Sequence, residues 1–288
     1  TPYPTLFPYT TLFRSDIRLN DTKISQKELI GTLNTVIFCP EDLQLIKGTP
    51  SGRRRFLDME ISQTSATYYH QLMQYNRLLQ QRNAVLKEYR GKNTIPLEEW
   101  DLQLADMASF IVKKRLESLK KINLLIDLMN RKLTGGLENL TIGYEQPYMD
   151  NGSLEYTKEG FYERIKAALP QDRHRLSTSV GPHRDDLRFF SDAMDLKKFG
   201  SQGQQRTAVL SLKLSELEFI KSEVGEYPVL LLDDVLSELD ESRRTNLLQF
   251  IHKRIQTFIT TTDIHDFKDL KSVQFISCEG GQVQYGQP

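Results

Sequence analysis

Cysteine is nearly absent. Cys39 and Cys278 are the only two, and neither has a CxxC partner, so neither a disulfide framework nor a zinc site is indicated. No apolar run approaches the length of a membrane span, which excludes an integral membrane protein and a membrane partner. No typical secretory signal opens the chain, and the reading is of a reduced, cytoplasmic protein. Net charge is absent too, with 38 Lys+Arg against 38 Asp+Glu. The balance is uneven, however. From Lys47 to Lys132 there are 16 basic residues against 9 acidic, and from Gly225 to Leu270 there are 5 against 9. A basic middle suggests an anionic partner there; the alternative is a solvated helical surface of mixed charge. No GxxxxGK[ST] occurs, so the loop that cradles phosphates in many nucleotide-binding proteins is missing. Hydrophobic residues make up 39% of the chain, enough for a packed core.

The first fifteen residues carry a near-duplicate, Pro2 to Phe7 and Pro8 to Phe13, with no helical or strand period. They resemble a translated adapter fused to a frame truncated at its front, and are expected to be foreign to the fold. Ile17 to Ile24 reads as a hairpin turning at Asn20-Asp21. Ser25 to Glu28 has capping-box spacing, Val36 to Phe38 is a strand, and Pro40 begins a helical turn. From residue 57 to 133, apolar residues recur at three, four and seven. This predicts two long amphipathic helices broken at Arg90–Pro96 and folded back as an antiparallel pair. Tyr68, Tyr69 and Tyr75 read as the core of that pair. The pair is either an arm projecting from a head or a helical subdomain packed on it.

Leu140 to Tyr144 then reads as a strand, and Lys158 to Leu169 as a helix closed by Pro170. Strands are expected at Leu176 to Val180 and Leu187 to Phe190, and a helix from Gln204 to Val224. The expected order afterwards is strand 228–233, helix 240–254, and strands 256–261 and 272–277. That alternation implies a largely parallel, covered sheet, hence an α/β fold.

Two stretches carry chemistry. Val229 to Leu232 is a continuous apolar run, as in a central buried strand, and it ends in Asp233-Asp234. At the carboxyl end of a parallel strand, Asp233 would reach the ligand crevice and could hold Mg2+ opposite phosphates. Asp234 could orient or deprotonate an attacking water. The alternative is a strand followed by an acid-rich helix start. Gly200-Ser201-Gln202-Gly203-Gln204-Gln205-Arg206 leads into a helix, and exposed amides at such a start bind anions; the alternative is a serine-capped turn.

This order of loop, helix, buried strand and paired carboxylates resembles the ABC-type ATPase head, with a signature motif at Ser201–Gln205, a Walker B strand, and a D-loop at Ser237-Glu238-Leu239-Asp240. The resemblance is closer still to the RecF family, SMC-like ATPase heads of bacterial recombination. It rests on Gln204–Thr207, Leu232–Asp240, Phe258–Thr262, Phe38–Leu43, Lys47-Gly48, Arg53–Asp58 and Gly181–Leu187.

The resemblance implies an ABC/SMC-type head lacking its Walker A lobe. Residues 16–56 would be a remnant of the N-terminal lobe, 57–135 an inserted helical arm, and 136–288 the C-terminal lobe. Two subunits would sandwich two ATP molecules. Each ATP would meet the Walker A loop, Asp233 and Asp234 of one subunit and Ser201, Gln202, Gly203, Gln204 and Gln205 of the other, with Ser237, Asp240 and Thr261 also expected at the nucleotide. The closed homodimer would clamp double-stranded DNA and, with RecO and RecR, help place RecA at junctions of single and double strands. The family implies a weak DNA-dependent ATPase, and this chain alone, without Walker A, is expected to be inactive. Thr260-Thr261-Thr262 stands where transporter ATPases carry a switch histidine, which agrees with slow hydrolysis. Gln44, near Pro40–Leu43, is a loose candidate for the Q-loop glutamine.

Arg53, Arg54 and Arg55, and Lys113, Lys114 and Arg115, are the densest basic clusters and the candidates for DNA phosphates. The alternative pairs them with Asp58, Glu60 or Glu117. Arg184 is expected to pair with Asp185 or Asp186. Two other functions stay open at this point: an ABC transporter ATPase subunit, and a structural interaction module in which Asp233-Asp234 is a helix cap.

Overall fold

The structure, a computed structural model, describes residues 16–92, 96–136, 138–148, 156–262, 267 and 273–286. The leader and residues 93–95 of the expected helix-pair break lie outside these. The chain opens with the hairpin β1 (Ile17–Leu19) and β2 (Thr22–Ile24). Its turn residues Asn20 and Asp21 both take left-handed backbone, φ 47° and 65°, the requirement of the tight turn that matches strand twist. Helix α1 (Gln26–Leu29) starts on the expected capping box, with Ser25 N donating to Glu28 Oε2 at 2.7 Å. Strand β3 (Thr35–Phe38), a 3-10 turn at Pro40–Leu43 and α2 (Gln44–Lys47) follow.

Three helices then stand where two were expected: α3 (Pro50–Thr64), α4 (Ala66–Glu88) and α5 (Glu98–Thr134). The extra break is at Ser65, whose extended backbone ends α3 and whose Oγ accepts from Tyr68 N at 3.2 Å to cap α4. At 1.5 Å per residue, the 37 residues of α5 extend about 55 Å. Its buried positions run from Asp101 to Asn130. It packs on α4, on β4 (Leu140–Glu145), on α6 (Lys158–Ala167) and on α9 (Gln202–Val224), so α5 lies against the rest of the protein.

Pro170 does not close α6. It opens α7 (Leu169–Arg175), where its missing N–H is not needed. The strand expected at Leu176–Val180 does not form. Leu176 is left-handed at φ 53°, and the segment is held by side chains instead, Thr178 N donating to Asn83 Oδ1 and Ser179 N to Asp172 Oδ1. The order ends with β5 (Asp186–Ser191), β6 (Met194–Asp195), α8 (Leu196–Phe199), α9, β7 (Val229–Asp233), α10 (Glu241–Ile251), β8 (Thr257–Thr260) and the hairpin β9 (Phe275–Glu279)–β10 (Gln282–Gly286).

The sheet β3-β7-β8 is parallel, with β7 central, while β4-β5-β6 is antiparallel. Val36, Phe38, Leu230 and Leu232 are buried in one cluster with the apolar residues of α9. The other face is open. Ile37, Leu231 and Phe258 stand side by side in register, and Ile37 and Phe258 are more than half exposed. The covered parallel sheet expected from the sequence is therefore covered on one face only.

One buried cluster ties α3, α9 and the 3-10 turn together. Lys213 Nζ lies 3.2 Å from Glu216 and 3.4 Å from Asp42. Burial pushes the neighbouring Glu60 carboxyl up to about 7, only partly countered by Lys213, and burial raises Glu216 as well. Folded Glu60 thus keeps a proton that the unfolded chain releases near its ordinary value. This stabilisation is present at low pH and lost as pH rises toward 7. Thermal melts should therefore show Glu60→Gln gaining on the parent between pH 5 and 8; parallel pH profiles would contradict this.

Candidate functional site

At the carboxyl end of β7, register places Thr260 of β8 beside Asp233. Its Oγ1 donates to Asp233 Oδ1 at 2.6 Å and accepts from Asp234 N at 3.1 Å. One hydroxyl thus fixes both carboxylate-bearing residues. Asp234 is left-handed at φ 51°, a conformation that aspartate tolerates better than most residues. Ser237 Oγ donates to Asp234 O at 2.8 Å. Both aspartates are exposed. Thr261 is the residue expected here, and Thr260, which makes both contacts, was not foreseen. Thr261 is half-buried one residue past the strand, and the end of the parallel pairing was the signal that would have singled out its neighbour.

Ser201 caps α9 and is exposed, with its Oγ accepting from Gln204 N at 3.2 Å and its N donating to Gln204 Oε1 at 3.0 Å. Gln204 Nε2 then reaches Glu138 Oε1 at 3.1 Å, and Ser191 Oγ donates to Glu138 Oε2 at 3.0 Å. Glu138 buttresses the loop and was not foreseen. The two glycines differ. A Cβ on Gly200 would lie 2.6 Å from Leu196 O, so packing demands glycine there; a Cβ on Gly203 would meet nothing closer than 3.9 Å. Glycine in a helix costs about 0.5–1 kcal/mol relative to alanine, and nothing among the described residues requires it at 203. Gln202 is exposed beside it, whereas Gln205 corrects the expectation. It is buried, and its Nε2 donates to Leu196 O at 2.8 Å, so its side chain holds the loop's base and does not face a ligand.

The two motifs are joined. Asp240 caps α10, accepting from Arg243 N at 2.9 Å, and its carboxylate also pairs with the Arg243 guanidinium. Arg243 Nε and Nη2 donate to Thr207 Oγ1 at 3.0 and 2.7 Å, and that hydroxyl donates to Gly203 O at 2.9 Å. Asp240, expected at the nucleotide, is thus engaged in a chain leading to the first turn of α9.

The basic clusters divide. Arg53 is buried, its Nε and Nη2 fork gripping Asp186 at 2.7 and 2.8 Å and its Nη1 donating to Gly48 O. Arg115 is 2% exposed and bonds Asp58, Tyr68, Pro182 O and Asp185. Neither offers a free face to DNA, and both calls are corrected: a guanidinium in a dry interior needs carboxylate partners, and both have them. Arg54, half-buried, donates to Asp185 O at 2.7 Å. Arg55 and Lys113 are exposed, and Lys114 pairs with Glu117 at 2.8 Å. Arg184 does not pair with Asp185 or Asp186; it is exposed and donates to Thr178 O.

Among the described residues, no group of three or more His, Cys, Asp or Glu converges to hold a metal. Asp233 fits Mg2+ only as one ligand among phosphate oxygens and waters, the usual Mg2+ arrangement at nucleotides. No helix of the described residues is long and apolar enough to cross a membrane.

No family model matches the chain. Among solved structures, the recombination mediator protein RecF-ATP in the RecFOR pathway superposes with a TM-score of 0.85 at 36% identity, covering 96% of this chain and 74% of that one. A second, RecF-ATPrS, gives 0.83 at 37%, covering 94% and 72%. Fold and strand-end site together place the chain in the α/β class of these two RecF structures. The DNA replication and repair protein RecF of Alkaliphilus oremlandii is 48% identical over 261 residues, 90% of this chain and 71% of that protein. That of Halothermothrix orenii is 46% identical over 263 residues, 89% and 70% respectively. The chain belongs to the RecF family of DNA replication and repair proteins.

Proposed function

We propose that this chain is half of an ATP-gated DNA clamp, in which ATP is shared across a twofold dimer interface. Asp233 and Asp234 serve the nucleotide of their own subunit, Asp233 toward Mg2+ and Asp234 toward the attacking water. Ser201, Gln202 and Gly203 face the phosphates held by the partner. Bound ATP supplies the negative charge that lets two positive helix starts approach one another. Residues 57–135 form a helical subdomain packed on the head, to which 16–56 and 136–288 belong. The closed dimer holds double-stranded DNA and acts with RecO and RecR on RecA placement.

The observation that carries this reading is Gly203, an exposed helical glycine with open space over it, beside a capped and exposed Ser201. A neighbour solved as RecF-ATP supports ATP as the nucleotide. The test uses this chain fused to the part of the Alkaliphilus protein that it does not cover. Sedimentation velocity should show monomer without ATP and dimer with it; a monomer at every ATP concentration would refute the proposal. Gly203→Ala should be neutral or up to about 1 kcal/mol stabilising in chemical denaturation, yet weaken ATP-driven dimerisation at least tenfold. A destabilised variant that still dimerised would reverse both expectations.

A further inference from the structure

The inference rests on the DNA-binding reading and places the contact. With Arg53 and Arg115 buried, only Arg55 and Lys113 of the two expected clusters stay exposed, and a denser group of cations stands elsewhere. A cleft of about 800 Å³ lies between α6, α7 and the 179–184 segment, with Tyr148 on its wall. Among the described residues three guanidiniums line it, Arg164, Arg175 and Arg184, against one carboxylate, Glu163.

What distinguishes these arginines is how they are held. Arg53, Arg82 and Arg115 are each clamped by carboxylates, which neutralise them. In the cleft the described bonds run to neutral oxygens. Arg164 Nη1 donates to Tyr148 O at 2.6 Å, and Arg184 Nε and Nη2 to Thr178 O at 3.0 and 2.7 Å. With the Gln171 amide oxygen turned inward, it accepts from Arg175 at 3.1 Å. The one acid on α7, Asp172, points away and is satisfied by Arg82 and Ser179. The three forks are thus oriented without being discharged. Planar guanidiniums fixed by neutral acceptors suit phosphate oxygens. Arg175 and Arg184 are exposed, so the rim is open to a polymer and not confined to a small ligand.

We propose that this cleft is a contact site for the phosphodiester backbone of duplex DNA. Non-adjacent basic residues build it, brought together by the left-handed turn at Leu176 and the 3-10 turn Pro182–Arg184.

Fluorescence anisotropy of a labelled blunt duplex, titrated with the same fused form in the presence of ATP between about 50 and 200 mM salt, tests it. Each phosphate contact contributes about 0.9 to the slope of log affinity against log salt. Arg175→Gln with Arg184→Gln should therefore lower that slope by about 1.8 and the low-salt affinity about tenfold. Melting temperature should hold, and Lys253→Gln, an exposed cation outside the cleft, should leave both quantities unchanged. If the parent binds duplex and the double variant keeps its slope, the cleft is overturned while the DNA reading stands. If the parent fails to bind duplex, both fall. If the double variant loses binding of inorganic phosphate but keeps the parent's duplex affinity and slope, the site takes free phosphates and the duplex assignment is overturned.

Discussion

Arg115→Met should destabilise the protein by about 3–5 kcal/mol, the cost of breaking a buried ion pair from one side. Arg115 lies at the meeting point of α3, α4, α5 and the turn before β5. Its guanidinium reaches Asp58 of α3, Tyr68 of α4, and Pro182 O and Asp185 of the turn. Burial raises the Asp185 carboxyl, and Arg115 is the largest influence opposing that rise. Without Arg115, folded Asp185 should hold its proton to higher pH. The deficit should therefore shrink as pH falls toward the ordinary aspartate range and grow as pH rises. Urea denaturation at two pH values measures it. Adding Asp185→Asn should recover part of the loss, because it removes a charge left unpaired. A deficit below about 1 kcal/mol, independent of pH, would mean that Asp58 and Asp185 find other partners.

Ser201→Arg should abolish ATP-driven dimerisation of the fused, full-length form, a loss of at least 100-fold in association, with little change in stability. Ser201 is exposed, so a long side chain meets no core. The capping bond from Gln204 N would be lost, a cost of about 1 kcal/mol, too small to unfold the head. The large effect comes from the interface: a bulky side chain would occupy the space the shared phosphates need. Dimerisation equal to that of the parent would remove the loop from the interface.

The strand-end motif was legible from sequence because it is local. A central strand buried within a sheet reads as an apolar run, and Asp233-Asp234 ends it within the same ten residues. The caps at Ser25 and Ser201 were legible for the same reason, each bonded to a residue three positions on. What escaped was nonlocal. Arg53 finds Asp186 at 133 residues' distance and Arg115 finds Asp185 at 70, so two internal anchors read as surface charge. Thr260 escaped because its role depends on strand register. The break at Ser65 escaped because the apolar period runs across it, and Pro170 because proline opens helices as readily as it follows them.

The central claim is that one subunit's carboxylates and its partner's loop act on the same nucleotide. Mixing two defective forms tests it most directly. Asp233→Asn and Ser201→Arg versions of the fused protein should each fail to hydrolyse ATP or dimerise with it. In a mixed dimer one composite site has both defects and the other has neither. Mixing should therefore restore one working site, seen as ATP-dependent heterodimer and recovered hydrolysis. If the mixture stays as inactive as its components, carboxylates and loop serve the same chain's nucleotide, and the shared-site account is wrong.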